Sequence, residues 1–310
     1  MIKLIFLILL NATSTFAEVI WHPLPAEAYQ FGKLYPEAQK ILFAFDYGHA
    51  LVYEKLLQNR GKITDPEKFE KELLEKVFYI LRNPPSVKTH ESDIAPNYYY
   101  LFTKTVTVFD WSHLLHQFVL DIMATSVDRN EGMKKRVYEI YNEYLANKRI
   151  AITPVCKTME FMDGHYFSKA FRRQYPSLNL LIWSYHFFQI KIYEALMEPT
   201  RAARDEAVKN TLNEFWKLIE NLPDSADFVM MPETATEAPR FAKMFPGIPS
   251  AFDNNHMLHD IVSDLLNSPK VEFSNLRSEA SQYASMAMDP EAFRSATCDS
   301  TAVTRKEIRE

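Results

Sequence analysis

Four pairs of residues, each pair three positions apart, carry imidazole, carboxylate or amide groups that could ligate a metal ion. Residues three apart on an α-helix lie on the same face, so both members of a pair could reach one centre. Neutral imidazoles together with carboxylates suit Zn, Cu, Fe and Ni. The pairs are Asp46 with His49, His113 with His116, His186 with Gln189, and His256 with His259.

A carboxylate follows each pair, so that one spacing frame, [D/H]-x2-[H/Q]-x4-[D/E], occurs four times. The first positions of successive copies are 67, 73 and 70 residues apart. Phe-Asp precedes the second and fourth copies, and Tyr-Glu-x-Leu occurs in the first and third. The repetition predicts an internal duplication of a unit of about 140 residues, with halves at about 25–155 and 157–290. The acids of the third position are Glu54, Asp121, Glu194 and Asp264.

A helical bundle in which these four segments pack around one axis would place the paired side chains in a single layer. Buried polar groups without partners would cost about 1–3 kcal/mol each, and a metal ion satisfies several of them at once. The donors outnumber the ligands of one tetrahedral ion, which predicts a dinuclear site, with Fe or Cu favoured and Zn as a further candidate. The predicted ligands are His49, His113, His116, His186, His256, His259, Asp46 and Gln189.

Six acids surround these pairs in the sequence. Asp110 and Asp253 stand one turn before a histidine, so they could be direct ligands or could orient an imidazole N–H. The acids of the third frame position lie about 12 Å further along the helix axis, too far to share the same ion. Glu54, Asp121, Glu194 and Asp264 could form a second polar layer, an ion relay or a separate metal site, or they could be surface acids.

Apolar residues recur at helical spacing through most of the chain, and only six glycines occur, fewer than sheets with tight turns usually need. The sequence therefore predicts an all-α fold, a helical bundle that forms one domain over residues 18–290. Residues 84–97 and 223–250 are rich in proline and polar residues and are predicted to be loops. Helices are predicted at about 25–58, 65–83, 98–127, 130–148, 157–174, 177–198, 200–221, 253–267 and 273–287.

The two ends of the chain differ from the rest. Residues 1–17 combine Lys3, a short apolar run and a small residue at position 17, a pattern typical of a secretory signal peptide. We therefore expect an exported protein, periplasmic or secreted, in which Cys156 and Cys298 could form a disulfide. No later segment is apolar for long enough to predict a stable membrane span. Residues 291–310 form a predicted polar tail.

The composition and motifs restrict the function. The net charge of -5 is spread over interspersed acidic and basic residues, which argues against a nucleic-acid partner. The leading hypothesis is a metal-dependent oxidoreductase with a non-haem dinuclear iron or copper centre that acts on a small molecule. One alternative is a protein without turnover that binds haem b through two imidazoles, or that stores or delivers metal. Another is a zinc hydrolase with Glu54 or Asp121 as the base. The sequence does not indicate the substrate or the oligomeric state.

Overall fold

The structure, a computed structural model, describes residues 24–220, 222 and 231–296. Their regular secondary structure is almost entirely helical, which confirms the predicted all-α fold. The predicted signal peptide and the last part of the predicted tail lie outside the described residues.

Two very short strands pair antiparallel, with Leu24 opposite Lys88. Strands and helices are numbered in the order in which they occur along the chain. The strands are β1 (Leu24–Pro25) and β2 (Val87–Lys88). The helices are α1 (Gln30–Leu34), α2 (Pro36–Asn59), α3 (Pro66–Arg82), α4 (Glu91–Ile94), α5 (Pro96–Leu101), α6 (Thr103–Thr125), α7 (Glu131–Ala146), α8 (Glu160–Asp163), α9 (Ala170–Gln174), α10 (Pro176–Ala195), α11 (Arg201–Glu220), α12 (Thr234–Glu237), α13 (Pro239–Met244), α14 (Ile248–Asn267) and α15 (Leu276–Met288).

Four long helices, α2, α6, α10 and α14, form the centre of the molecule. Each carries one of the four predicted ligand pairs and is apolar on most of its circumference, as expected of a helix buried on several sides. Helix α2 packs against α10 and α14, and α14 also packs against α6. The four helices therefore bring the four copies of the frame toward one interior.

Four amphipathic helices cover this centre. Helices α3, α7, α11 and α15 each pack against the central helix that precedes them in the chain. In α3 the buried residues are Glu70, Leu73, Val77 and Leu81, which follow the three- and four-residue spacing of one helix face. Asp65 begins α3 by accepting a hydrogen bond from the Lys68 N–H at 3.0 Å, with proline at the first helical position.

Several predicted helices are broken or displaced. The segment predicted as one helix over 25–58 is divided before Pro36, because proline has no N–H to continue the preceding helix but is suited to begin the next. The helix predicted over 98–127 is divided at Phe102. Residues 157–174 contain only α8 and α9, and the predicted loops 84–97 and 223–250 contain the short helices α4, α12 and α13.

The segment around Cys156 is tied to the start of the predicted polar tail. The Thr158 N–H donates to Phe293 O at 2.8 Å, and the Ser295 N–H donates to Cys156 O at 2.9 Å. Cys156 is disulfide-bonded, and Cys298, the other cysteine of the chain, lies outside the described residues. Residues 291–296 are therefore part of the folded domain rather than of a free tail.

Within the described residues, no helix combines the length and the apolar character that crossing a bilayer requires.

Candidate functional site

Six histidines from the four central helices lie side by side in the interior. Ring centroids are 5.5 Å apart for His49 and His186, 5.1 Å for His49 and His259, and 5.9 Å for His186 and His259. His256 stacks on His186 at 4.1 Å and lies 6.1 Å from His116, while His113 lies 5.6 Å from His259. We call these six residues the imidazole cluster: His49, His113, His116, His186, His256 and His259.

Aromatic side chains enclose the cluster and fix the planes of its rings. Phe109 stacks on His259 with centroids 3.8 Å apart, and Phe252 stacks on His116 at 3.6 Å. All members except His113 are buried, with at most 3% of the residue exposed. His113 is half-buried and is therefore the most exposed member of the cluster.

Hydrogen bonds to oxygen atoms fix which ring nitrogen of His49 and His259 carries the proton. His49 Nδ1 lies 3.3 Å from Phe45 O, and a carbonyl only accepts, so Nδ1 is the protonated nitrogen. The Tyr53 hydroxyl donates its one hydrogen to His259 O at 3.0 Å and therefore accepts from His259 Nδ1–H at 3.2 Å. In both histidines Nε2 is therefore the unprotonated nitrogen, and its lone pair has no hydrogen-bond partner among the described residues.

The same arrangement recurs at His116 and His256. His116 Nδ1 lies 2.5 Å from the Tyr193 hydroxyl, which also contacts His116 O at 3.5 Å. His256 Nε2 lies 3.4 Å from Gln189 Oε1, an oxygen that only accepts. Metal-ligating histidines usually make such a bond with the nitrogen that does not bind the ion, because it fixes the ring and its tautomer.

Five buried ring nitrogens of the cluster have no hydrogen-bond partner among the described residues. An unpaired buried polar atom costs about 1–3 kcal/mol, so five together are a large concentration of unfavourable free energy. A cation that accepts lone pairs would satisfy them. The atoms are His49 Nε2, His116 Nε2, His186 Nδ1, His256 Nδ1 and His259 Nε2.

The electrostatics keep the imidazoles neutral. Burial, with a contribution from His113, lowers the pKa of His49 to about 4, and burial lowers that of His256 to about 3. Burial also lowers the pKa values of His113, His116, His186 and His259. Neutral imidazole is the form that ligates a metal, so the cluster is ready to bind without losing protons.

The ring spacing is close to that around one ion. With metal–nitrogen bonds of about 2 Å, three imidazoles on a tetrahedral ion have ring centroids roughly 5 Å apart. His49, His186 and His259 have this spacing, but no three nitrogens of the cluster lie within 4.8 Å of one another in the part of the chain that is described. The rings must therefore turn toward each other to share an ion.

The two predicted ligands that are not histidines have other partners. Asp46 forms an ion pair with Lys88 at 2.8 Å, because the β1–β2 ribbon places Lys88 against α2. Burial opposes ionisation of Asp46, but the charge and hydrogen bond of Lys88, together with His113 and His49, outweigh it and lower the pKa of the carboxyl. Gln189 contacts His256 rather than occupying a ligand position of its own. The cluster therefore offers imidazoles alone.

A second set of ligand atoms lies at the edge of the cluster. Glu91, Asp110 and His113 bring one ligand atom each within 4.8 Å of one another. These three residues, Asp46 and Lys88 line one small cavity of about 20 Å³, and we call the five residues the mixed-donor pocket. Burial and the neighbouring acids raise the pKa of Glu91, and burial raises that of Asp110 to about 7.

Glu91 was not among the residues predicted from the sequence. It begins the four-residue helix α4 in a segment predicted to be a loop, and it belongs to no repeated spacing. Only the fold brings it to Asp110. Asp253, which like Asp110 stands one turn before a histidine in the sequence, accepts hydrogen bonds from the Thr234 N–H at 3.0 Å and the Thr234 hydroxyl at 2.6 Å.

The four acids of the third frame position hold short helices in place. Each accepts hydrogen bonds from backbone N–H groups at a helix start, where four donors lack partners and the helix dipole favours a negative charge. Glu54 accepts from Tyr98 N in α5, Asp121 from Phe31 N in α1, Glu194 from Arg240 N in α13, and Asp264 from Phe171 N in α9.

These contacts show which groups the four acids bind. The spacing of the acids in the sequence did not indicate these partners. Glu54 and Asp264 are buried, so they are not surface acids. Their carboxylates anchor the short helices that surround the central four. Paired contacts of this kind are what the predicted duplication would produce, and the duplication itself stays a prediction.

Comparison of the chain with protein-family models, curated proteins and solved structures finds no match. Its function must therefore be argued from the chemistry of the site.

Proposed function

We propose that this protein binds transition-metal ions at the imidazole cluster and uses a dinuclear iron or copper centre there as an oxidoreductase acting on a small molecule. The observation that carries the proposal is the set of five buried ring nitrogens without partners, four of them on rings whose other nitrogen is held by an oxygen. Imidazole donors suit iron and copper, and the aromatic enclosure excludes bulk water.

The alternatives have less support from the contacts. Haem b between two imidazoles needs space for a porphyrin, whereas His186 and His256 stack at 4.1 Å and the two cavities beside the cluster are about 20 Å³ each. A zinc hydrolase with Glu54 or Asp121 as base would need a free carboxylate, but both carboxylates accept hydrogen bonds from backbone N–H groups at the start of a short helix. Rapid metal delivery is disfavoured by the burial of the cluster.

A matched pair of variants tests metal binding. His49 and His165 each place a ring nitrogen against the carbonyl of the residue four positions earlier, at 3.3 and 2.7 Å. The ring contacts of His165 are with Phe167, Tyr283 and Phe293, outside the cluster. We expect His49→Gln to lower the affinity of the full chain for added Cu²⁺ at least tenfold, and His165→Gln to leave it unchanged.

The measurement is metal content after gel filtration, together with calorimetric titration of metal-free protein. Circular dichroism checks that both variants fold. Equal Cu²⁺ binding by the two variants would rule out the cluster as the site. Oxygen uptake by the iron- or copper-loaded protein, with ascorbate as electron donor, tests the oxidoreductase activity, and its absence with both metals would leave a metal-binding protein without turnover.

A further inference from the structure

The mixed-donor pocket has the donor set of a metal site distinct from the imidazole cluster. Two carboxylates and one imidazole meet within 4.8 Å, and all three side chains line the same cavity. Its volume of about 20 Å³ corresponds to roughly one small occupant, since a water-sized site needs about 10–15 Å³ by the same measure. Glu91 Oε2 is shielded from solvent and has no hydrogen-bond partner among the described residues.

The charges of the pocket favour a divalent cation. Asp46 and Lys88 form an ion pair at 2.8 Å and offset each other. Glu91 and Asp110 add two carboxylates within 4.8 Å of each other, and such neighbours repel when both are ionised. A doubly charged cation would neutralise both while accepting the lone pair of His113.

A second half-buried acid, Asp253, shows how the fold satisfies a carboxylate without a metal. Asp253 on α14 stands directly after Phe252, as Asp110 on α6 stands directly after Phe109. The first residue of α12, Thr234, gives Asp253 two hydrogen bonds, from its N–H and its hydroxyl. The first residue of α4 is Glu91, which brings a second carboxylate in place of the hydroxyl donor.

We propose that the mixed-donor pocket binds a divalent first-row metal ion, such as Mn²⁺ or Fe²⁺, through Glu91, Asp110 and His113. Carboxylates suit Mn²⁺, and a site that combines imidazole and carboxylate with open positions suits Fe²⁺. Ca²⁺ is disfavoured, because it takes six to eight oxygen ligands. The three residues are half-buried, so the ion can enter from solvent.

This inference deepens the proposed function and rests on it, since it assigns the second ion of the dinuclear centre to the edge of the imidazole cluster, where Glu91 and Asp110 meet His113. His113 belongs to both groups, and its ring centroid lies 5.6 Å from that of His259. The two positions are therefore neighbours with different chemistry: imidazoles alone on one side, and two carboxylates with one imidazole on the other.

The test uses Mn²⁺ alone as the probe, added to the metal-free full chain, with free Mn²⁺ counted by electron paramagnetic resonance. We expect one tight site in the parent protein. Glu91→Gln, which keeps the shape of the side chain and removes its charge, should weaken that site at least tenfold. Asp253→Asn is the matched control, because it neutralises a half-buried acid outside the pocket and should leave Mn²⁺ affinity within twofold. His49→Gln should also leave it within twofold.

The outcomes separate the two proposals. Loss of Mn²⁺ binding in Glu91→Gln but not in Asp253→Asn supports the pocket. Equal Mn²⁺ affinity in the parent and Glu91→Gln overturns it, as does a parent protein that binds no Mn²⁺. If Mn²⁺ binds at Glu91 while Cu²⁺ binding is insensitive to His49→Gln, the imidazole centre fails and the pocket stands. If Glu91→Gln misfolds by circular dichroism, Asp110→Asn takes its place with the same expectation.

Discussion

The hydroxyl of Tyr53 provides the sharpest test of how the imidazole cluster is organised. It donates to His259 O at 3.0 Å and accepts from His259 Nδ1–H at 3.2 Å, and the residue is 1% exposed. Tyr53→Phe removes this oxygen and keeps the ring. His259 O keeps a hydrogen bond from the Ser263 hydroxyl at 3.0 Å, so the main loss falls on the buried Nδ1–H.

The expected magnitude follows from that unpaired donor. A buried N–H without a partner costs about 1–3 kcal/mol, so we expect the free energy of unfolding to fall by about 2 kcal/mol in Tyr53→Phe. The ring of His259 also loses the contact that selects the Nδ1–H tautomer. Removal of such an outer contact typically lowers metal affinity about 10–100-fold, and we expect a loss of that size for Cu²⁺.

Tyr98 supplies the matched control. Its ring centroid lies 4.9 Å from that of Tyr53, it is equally buried, and its hydroxyl has no hydrogen-bond partner among the described residues. Tyr98→Phe should therefore leave stability unchanged or raise it slightly, because it removes an unpaired polar atom. Urea unfolding gives both free energies, and nitrogen NMR of the metal-free proteins reports the tautomer of His259. The reasoning is refuted if Tyr53→Phe is no more destabilising than Tyr98→Phe and the tautomer is unchanged.

Three further predictions concern protonation, the second tyrosine and helix anchoring. In metal-free protein, His49 and His256 should remain neutral down to about pH 5, because their pKa values are about 4 and 3; NMR titration checks this, and protonation between pH 6 and 7 would contradict it. Since the unfolded imidazole titrates near pH 6.5, their contribution to stability is complete above that pH and is lost as the pH falls to about 4 for His49 and about 3 for His256. Tyr193→Phe should lower Cu²⁺ affinity about tenfold through His116, and an unchanged titration curve would show that this tyrosine does not position the ring. Glu54→Gln should lower the free energy of unfolding, measured in urea, by about 1–2 kcal/mol, since the Tyr98 N–H then donates to a neutral amide instead of a carboxylate. A change as small as that expected for an exposed acid would show that the anchor is unimportant.

The helical periodicity predicted the central helices well because those segments are long and apolar. The structure places α2, α6, α10 and α14 within the predicted helices or close to them, and the three-residue spacing placed each histidine pair on one face. The sequence could therefore indicate that six imidazoles belong together. It could not indicate their mutual distances, because those depend on the packing of four helices that are far apart in the chain.

The roles of the acids depend on tertiary contacts that no local pattern carries. Glu54 and Asp264 recur at a fixed distance from the histidines, and this regularity suggested ion binding. Their partners are N–H groups of short helices 44 and 93 residues away in the chain. Five-residue helices such as α1 and α9 lack a long periodic pattern, so helix starts at those places could not be expected from the sequence.

The position of Glu91 also depends on tertiary contacts, and in this case no repeated spacing in the sequence singled the residue out. It lies in a segment predicted to be a loop, yet it meets Asp110 and His113 of α6 because α4 and β2 pack against α2. If the chain arose by the predicted duplication, the corresponding places in the two halves hold Asp46 and His186 on the central helices, and Glu91 and Thr234 at the starts of short helices. One half then carries three carboxylates, of which Lys88 balances that of Asp46, whereas the other carries an additional imidazole and a hydroxyl that satisfies Asp253. The same arrangement of helices thus provides two different donor environments side by side, and it is this difference, rather than the number of histidines, that would let one centre hold two ions in unequal roles.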